Sequence, residues 1–175
     1  MLLVDKHRPR DLSELVVHTE IGERLQALAR TGDVPHALFY GSPGAGKKTL
    51  VMCLLRELFG PAAERLRVES KAWKVAQSGR NLNVEIRVLS SPCHVEVNPS
   101  DAGLRDRHVV SEMLKDIARS KPLDSHSQPF KVLVLNEVDK LSKEAQHALR
   151  RTMERYSSSC RLLLVCNSLS KVCPR

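Results

Sequence analysis

The sequence predicts a three-layer α/β domain built on a mainly parallel central sheet, and three features carry that prediction. His36 to Tyr40 is a compact apolar strand that runs directly into a glycine-rich loop and then a helix with an apolar stripe. Phe130 to Leu135 and Arg161 to Val165 are near-continuous apolar runs, the kind buried on both faces of a parallel sheet. Helical patterns fall between these strand patterns, as parallel crossovers require.

Along the chain, Ile21, Leu25, Leu28 and Ala29 recur at helical spacing until Thr31-Gly32-Asp33 breaks the pattern. After the glycine loop, Leu50, Val51, Leu54, Leu55 and Leu58 form a helical stripe that ends at Gly60-Pro61. Val84, Ile86 and Val88 alternate with polar neighbours, as do Val95 and Val97 after Ser90-Ser91-Pro92, which predicts a hairpin or two edge strands. Val109 to Ala118 is amphipathic and is expected to end at Lys121-Pro122. Ser142 is placed to cap a helix over Lys143 to Tyr156.

Composition bounds the function. At 175 residues the chain is expected to be a single domain, and no apolar run approaches the roughly 18 to 20 residues a bilayer span needs. Met1-Leu2-Leu3-Val4 is followed at once by Asp5, Lys6 and Arg8, too short for a signal peptide, so an intracellular protein is expected. Lys and Arg number 28 against 20 Asp and Glu, and the net charge of +8 suits a polyanionic partner. Aromatic residues make up only 3%, which favours phosphate contact over base stacking. The five cysteines, Cys53, Cys93, Cys160, Cys166 and Cys173, contain no C-x-x-C pair and read as reduced core or surface thiols. Cys93-His94 is the one adjacent pair of metal-ligating types, and its side chains are expected to diverge on a strand. No metal site formed by protein alone is predicted.

The chemistry lies in Gly41-Ser42-Pro43-Gly44-Ala45-Gly46-Lys47. Its glycines let successive backbone N–H groups turn inward around phosphate, the following helix adds a positive dipole end, and Lys47 neutralises β and γ oxygens. The expected ligand is ATP or ADP, with any Mg²⁺ carried by the nucleotide. Two positions depart from the usual pattern. The residue after Lys47 should bear a Mg²⁺-ligating hydroxyl but is Lys48, and Thr49 comes one residue late, about 100° around the helix. The strand Leu133-Val134-Leu135 leads to Asn136-Glu137, so a neutral Asn stands where a metal-supporting Asp belongs, while the water-polarising Glu remains. The pattern predicts a pocket that binds nucleotide but is poorly built to hydrolyse it.

Five further segments carry a resemblance: Val4-Asp5-Lys6-His7-Arg8-Pro9, Pro35 to Gly41, Val97-Asn98-Pro99-Ser100-Asp101, Glu137 to Leu141, and Ala145 to Glu154. Together they resemble the AAA+ domain of the small subunits of the eukaryotic clamp loader, replication factor C. The Gly46-Lys47-Lys48-Thr49 and Asn136-Glu137 variants resemble one member of that family in particular. The resemblance implies a three-layer P-loop nucleoside triphosphatase domain over residues 1–175, with a hairpin-like insertion over roughly 67–98. It also implies a nuclear heteropentamer that uses ATP to open a sliding clamp and place it on primer-template DNA, in replication and repair. Residues matching Val4, Arg8 and Val16 lie over the adenine in that family, and the one matching Asn167 senses the γ-phosphate. Arg150, Arg151 and Glu154 match a helix facing neighbouring subunits and DNA, with a solvated charged face as the alternative. The stretch from Asp101 through Arg107 to Arg119 matches a clamp- and DNA-proximal helix in that family, again with a solvated charged face as the alternative.

In the family a Ser-Arg-Cys motif, a helical lid and a collar domain follow, whereas this sequence ends at Val172-Cys173-Pro174-Arg175, so a truncated form lacking lid and collar is expected. Two other classes stay open at this level: a competent ATPase holding Mg²⁺ through Thr49 or waters, and a small-molecule phosphotransferase. The latter would need an arginine-bearing lid after the glycine loop, which the sequence does not offer.

Overall fold

The computed structural model describes residues 2–77, 80–119 and 129–172. A short helix, α1 (Leu3–Lys6), precedes α2 (Thr19–Thr31), which Gly32 caps through an N–H bond to Ala29 O. There follow β1 (Ala37–Tyr40), α3 (Lys47–Phe59), β2 (Arg67–Gln77), β3 (Arg80–Ser90) and β4 (His94–Val97). The chain continues through α4 (Asp106–Arg119), β5 (Lys131–Leu135), α5 (Lys143–Arg155) and β6 (Cys160–Cys166). Ser142 caps α5, its Oγ accepting from Ala145 N at 3.1 Å. The predicted helix stop at Lys121-Pro122 lies outside the described residues.

The six strands form one sheet in the order β1-β6-β5-β4-β3-β2. The pairs β1/β6, β6/β5 and β5/β4 are parallel, and β4/β3 and β3/β2 are antiparallel. The sheet is therefore mixed, with its parallel half next to the glycine loop. Of the two predicted alternatives the hairpin is found, β3 and β4 pairing antiparallel across a short turn, and the edge strands are not: β2 covers β3, and β5 covers β4 in the register Glu96↔Val134. Interior pairing leaves all four residues of β4 buried, including His94 and Glu96. The edge strand β2 is tied down by Trp73, whose Nε1 donates to Asp116 Oδ2 on α4 at 3.1 Å.

A core lies on each face of the sheet, and strand alternation assigns residues to one or the other. Val132, Val134, Leu163 and Val165 pack with Leu50, Val51, Leu54 and Leu55 of α3 and Leu25 of α2. Leu133, Leu135, Leu162 and Leu164 pack with Val109, Val110, Met113 and Leu114 of α4 and Leu149 of α5. Helices on both faces complete the three layers. Cys53, Cys93, Cys160 and Cys166 are buried thiols that form no disulfide with one another, and burial pushes the Cys160 thiol up to about 12. Cys173 lies outside the described residues. Cys93 and His94 do not diverge: Cys93 precedes β4 in the turn, and its Sγ lies 3.6 Å from His94 Nδ1, both beside Ser91 Oγ. Among the described residues no helix is long and apolar enough to cross a membrane.

Candidate nucleotide-binding cleft

The parallel strands β1, β6, β5 and β4 end side by side, so Gly41, Asn167, Asn136 and Asn98 gather along one edge of the sheet. That carboxyl edge is where open α/β sheets place ligands. Gly44 and Gly46 both adopt φ 81°, and nothing lies within 4 Å of where a Cβ would sit. Backbone conformation, not space, therefore reserves these positions for glycine. Gly46 is the N-cap of α3 and offers no side-chain cap, so the first-turn N–H groups are left for an anionic ligand.

Lys47 binds this loop together. Its Nζ donates to Gly41 O at 2.7 Å, Ser42 O at 2.8 Å and Asn167 Oδ1 at 2.9 Å. A cleft of about 620 Å³ opens beside it, lined by Val4, Arg8, Pro43, Gly44, Ala45, Gly46, Lys47, Lys48, Thr49 and Asn167. His7 and Pro9 also line it, two residues of the Val4 to Pro9 segment to which the sequence assigns no role in the site. Val16 is not part of the lining and is 90% exposed.

A smaller cavity of about 320 Å³ adjoins the cleft, lined by Lys48, Asn98, Asn136, Glu137, Cys166 and Asn167. Lys48 and Asn167 face both spaces; Thr49 lines only the larger one. Here the structure brings together the two departures from the phosphate-loop pattern through a third residue, Glu96. Lys48 Nζ lies 2.7 Å from Glu96 Oε1, and Asn136 Nδ2 donates to the same oxygen at 2.8 Å. Val95 and Val97 face the α4/α5 core, so Glu96 projects to the other side of the sheet, where α3 begins. The signal that could have found it is a lone acid between two core valines.

Glu137 has φ 53°, an uncommon conformation for a residue with a Cβ. Its Oε1 accepts from Lys140 Nζ at 2.8 Å and its Oε2 from Asn98 Nδ2 at 3.3 Å, so both oxygens are engaged. The carboxylate in turn raises the Lys140 pKa, chiefly through that hydrogen bond. Asn98 and Lys140 are the remaining site residues to which the sequence assigns no role in advance.

The other predicted residues lie elsewhere. Arg107 is exposed on α4; on α5 Arg150 is half-buried while Arg151 and Glu154 are exposed, and none of the four lines either cavity. The side chain of Arg119 is outside the described residues.

Mg²⁺ demands several hard oxygen ligands in near-octahedral array. The positions that would hold it present an ammonium and an amide already donating to Glu96. Among the described residues no group of three or more His, Cys, Asp and Glu could hold a metal ion. The residues present do not fit a protein-held Mg²⁺.

Comparison with known proteins finds relatives in sequence and in fold. The chain is 55% identical to replication factor C subunit 3 of Arabidopsis thaliana over 173 residues, covering 98% of this chain and 49% of that protein. It is 53% identical to replication factor C subunit 3 of Homo sapiens over 174 residues, 99% of this chain and 48% of that one. The chain thus spans about half the length of the curated relatives it matches. In fold it is similar to Thermotoga maritima RuvB, with a TM-score of 0.53 at 16% identity, over 95% of this chain and 44% of RuvB. It is also similar to C. elegans PCH-2, with a TM-score of 0.54 at 18% identity, over 92% of this chain and 41% of PCH-2. Both likenesses show the fold, a mixed, mainly parallel sheet between helical layers. The description "DNA polymerase III, delta subunit" fits residues 17–174, so the chain belongs to that clamp-loader family, within which it is similar along nearly its whole length to replication factor C subunits 3 and 5.

Proposed function

We propose that the chain is the nucleotide-binding domain of a replication factor C-type clamp-loader subunit, with a site that binds ATP or ADP and hydrolyses it weakly or not at all. The observation that carries this reading is the Lys47 cluster, in which the loop carbonyls and Asn167 hold an ammonium at the mouth of the 620 Å³ cleft. Polyphosphate would replace those neutral acceptors with anionic ones, and hydrogen bonds to charged groups are stronger. Val4 and Arg8 would cover the base, and Asn167 would report the terminal phosphate to β6. Weak hydrolysis follows from Glu137: a carboxylate engaged by Lys140 and Asn98 is badly placed to take a proton from water.

In this reading the partners are the other replication factor C subunits, the sliding clamp and primer-template DNA, and the location is the nucleus, in DNA replication and repair. Arg107, Arg150, Arg151 and Glu154 would contact DNA or neighbouring subunits from the opposite side of the sheet, not nucleotide.

Titration calorimetry with ATP and ADP on the wild-type chain and Lys47→Ala tests the reading. Removing the ammonium should weaken binding by at least about tenfold, the worth of a charge-assisted contact. Equal affinity of the two proteins would sink it. A second reading, a competent ATPase, is favoured by Thr49 lining the cleft and by Glu137 itself. Phosphate release that disappears in Glu137→Gln would establish that reading instead.

A further inference from the structure

We propose that Lys48, held by Glu96 and Asn136, is a built-in cation that takes over the metal's place, so that the nucleotide bound is a polyphosphate free of divalent metal. This rests on the reading that the cleft binds nucleotide.

Three observations converge on it. Among the described residues Lys48 is the only lysine lining both the phosphate cleft and the smaller cavity bounded by Asn136 and Glu137, and it lies in the first turn of α3 beside Lys47. It is also fixed: Glu96 is 5% exposed and sits on an interior strand, and it holds Lys48 Nζ at 2.7 Å. Glu96 takes one of three ammonium donors, and with the Lys48 side chain 55% exposed the others can reach phosphate oxygens. Finally, Asn136 completes the mount, since its Nδ2 donates to the same Glu96 oxygen at 2.8 Å. An Asp there would set a second carboxylate beside Glu96; an amide instead donates to it. The two departures from the phosphate-loop pattern are thus one device. A divalent ion arriving with the nucleotide would meet the like charge of Lys48.

The experiment is calorimetric titration of the full chain with ATP in excess chelator and in excess Mg²⁺, using wild type, Lys47→Ala and the double variant Lys48→Met/Glu96→Gln. The double variant removes the ammonium without stranding a buried carboxylate, and a circular dichroism melt checks its fold. We expect Mg²⁺ to change wild-type affinity by less than about threefold, and the double variant to lose at least about tenfold in metal-free affinity, the worth of one charge-assisted contact. If wild type binds ATP in a Lys47-dependent way but Mg²⁺ strengthens binding more than about threefold, the built-in cation is wrong while the nucleotide site stands. Unchanged metal-free affinity in a folded double variant would overturn the built-in cation in the same way. If wild type binds no ATP, or Lys47→Ala binds as well, the nucleotide reading itself fails and this inference falls with it.

Discussion

The two halves of the cleft share one sheet edge yet treat charge in opposite ways. On the phosphate side, Lys47 is held by neutral acceptors, two loop carbonyls and the Asn167 amide oxygen, so its positive charge is left for an anion. On the other side the charges close on one another, Lys48 on Glu96 at 2.7 Å and Lys140 on Glu137 at 2.8 Å. A site can keep its binding charge while the groups for hydrolysis are tied up internally. Affinity and turnover are then set by different residues and separate under mutation.

The largest effect should come from acid acting on β4, the strand that carries Glu96. Burial lowers His94 from 6.5 to about 4, with the nearby Glu96 partly opposing the shift. Because the folded-state pKa lies below the unfolded one, the unfolded chain binds more protons between those values. Stability is fully present above pH 6.5 and is lost as pH falls towards about 4, by roughly 3 kcal/mol in total. His36 is lowered in the same direction, chiefly by burial, and adds to the slope. Urea unfolding across that pH range measures it; a flat profile between neutral and about pH 4.5 would contradict the burial of His94, and His94→Gln should flatten the profile in part.

Next in size is the Lys48 pair. Lys48→Met leaves the buried Glu96 carboxylate with only Asn136, and should cost roughly 1–3 kcal/mol, less than a fully buried pair because Lys48 is half exposed. Adding Glu96→Gln should return most of the loss, since a neutral amide needs no counter-charge. Two single-variant costs that simply add would show that the two side chains do not interact.

A smaller effect confined to the phosphate half should follow Gly46→Ala. The site is open but its φ of 81° is left-handed, so the methyl costs about 1 kcal/mol of backbone strain and no clash. A thermal melt should fall slightly, and ATP affinity should fall without any change in its response to Mg²⁺. A rise in melting temperature would mean the loop relaxes to another conformation.

Legibility in the sequence divides along the same line. Gly41, Gly44, Gly46 and Lys47 announce the phosphate half because turn geometry and phosphate charge demand those residue types at that spacing. The parallel strands β5 and β6 are legible because burial on both faces makes Val132 to Leu135 and Leu162 to Val165 continuously apolar. The other half is not legible, since it depends on pairing. Val95 and Val97 flanking a Glu look like a half-exposed strand, and only the placement of β4 between β3 and β5 turns Glu96 inward against Lys48. The edge strand β2 gives little signal because Trp73 is its one residue described as buried. Val16 is attached to the cleft through resemblance alone, and no local pattern ties its 90% exposed side chain to the lining.

The smallest expected effect discriminates best between the halves. Glu137→Gln removes the one acid among the described residues that lines either cavity, yet it also releases Lys140 and keeps an oxygen for Asn98. If the site hydrolyses weakly, as proposed, phosphate release should stay within about twofold of wild type, because no proton transfer is lost that the engaged carboxylate was making. ATP affinity should rise slightly, since a negative charge next to the phosphate cavity is removed. A fall of more than about tenfold in phosphate release would mean that Glu137 leaves Lys140 when nucleotide arrives. The two halves would then work together as one catalytic site, and the internal pairing of charges would be a resting arrangement that ATP undoes.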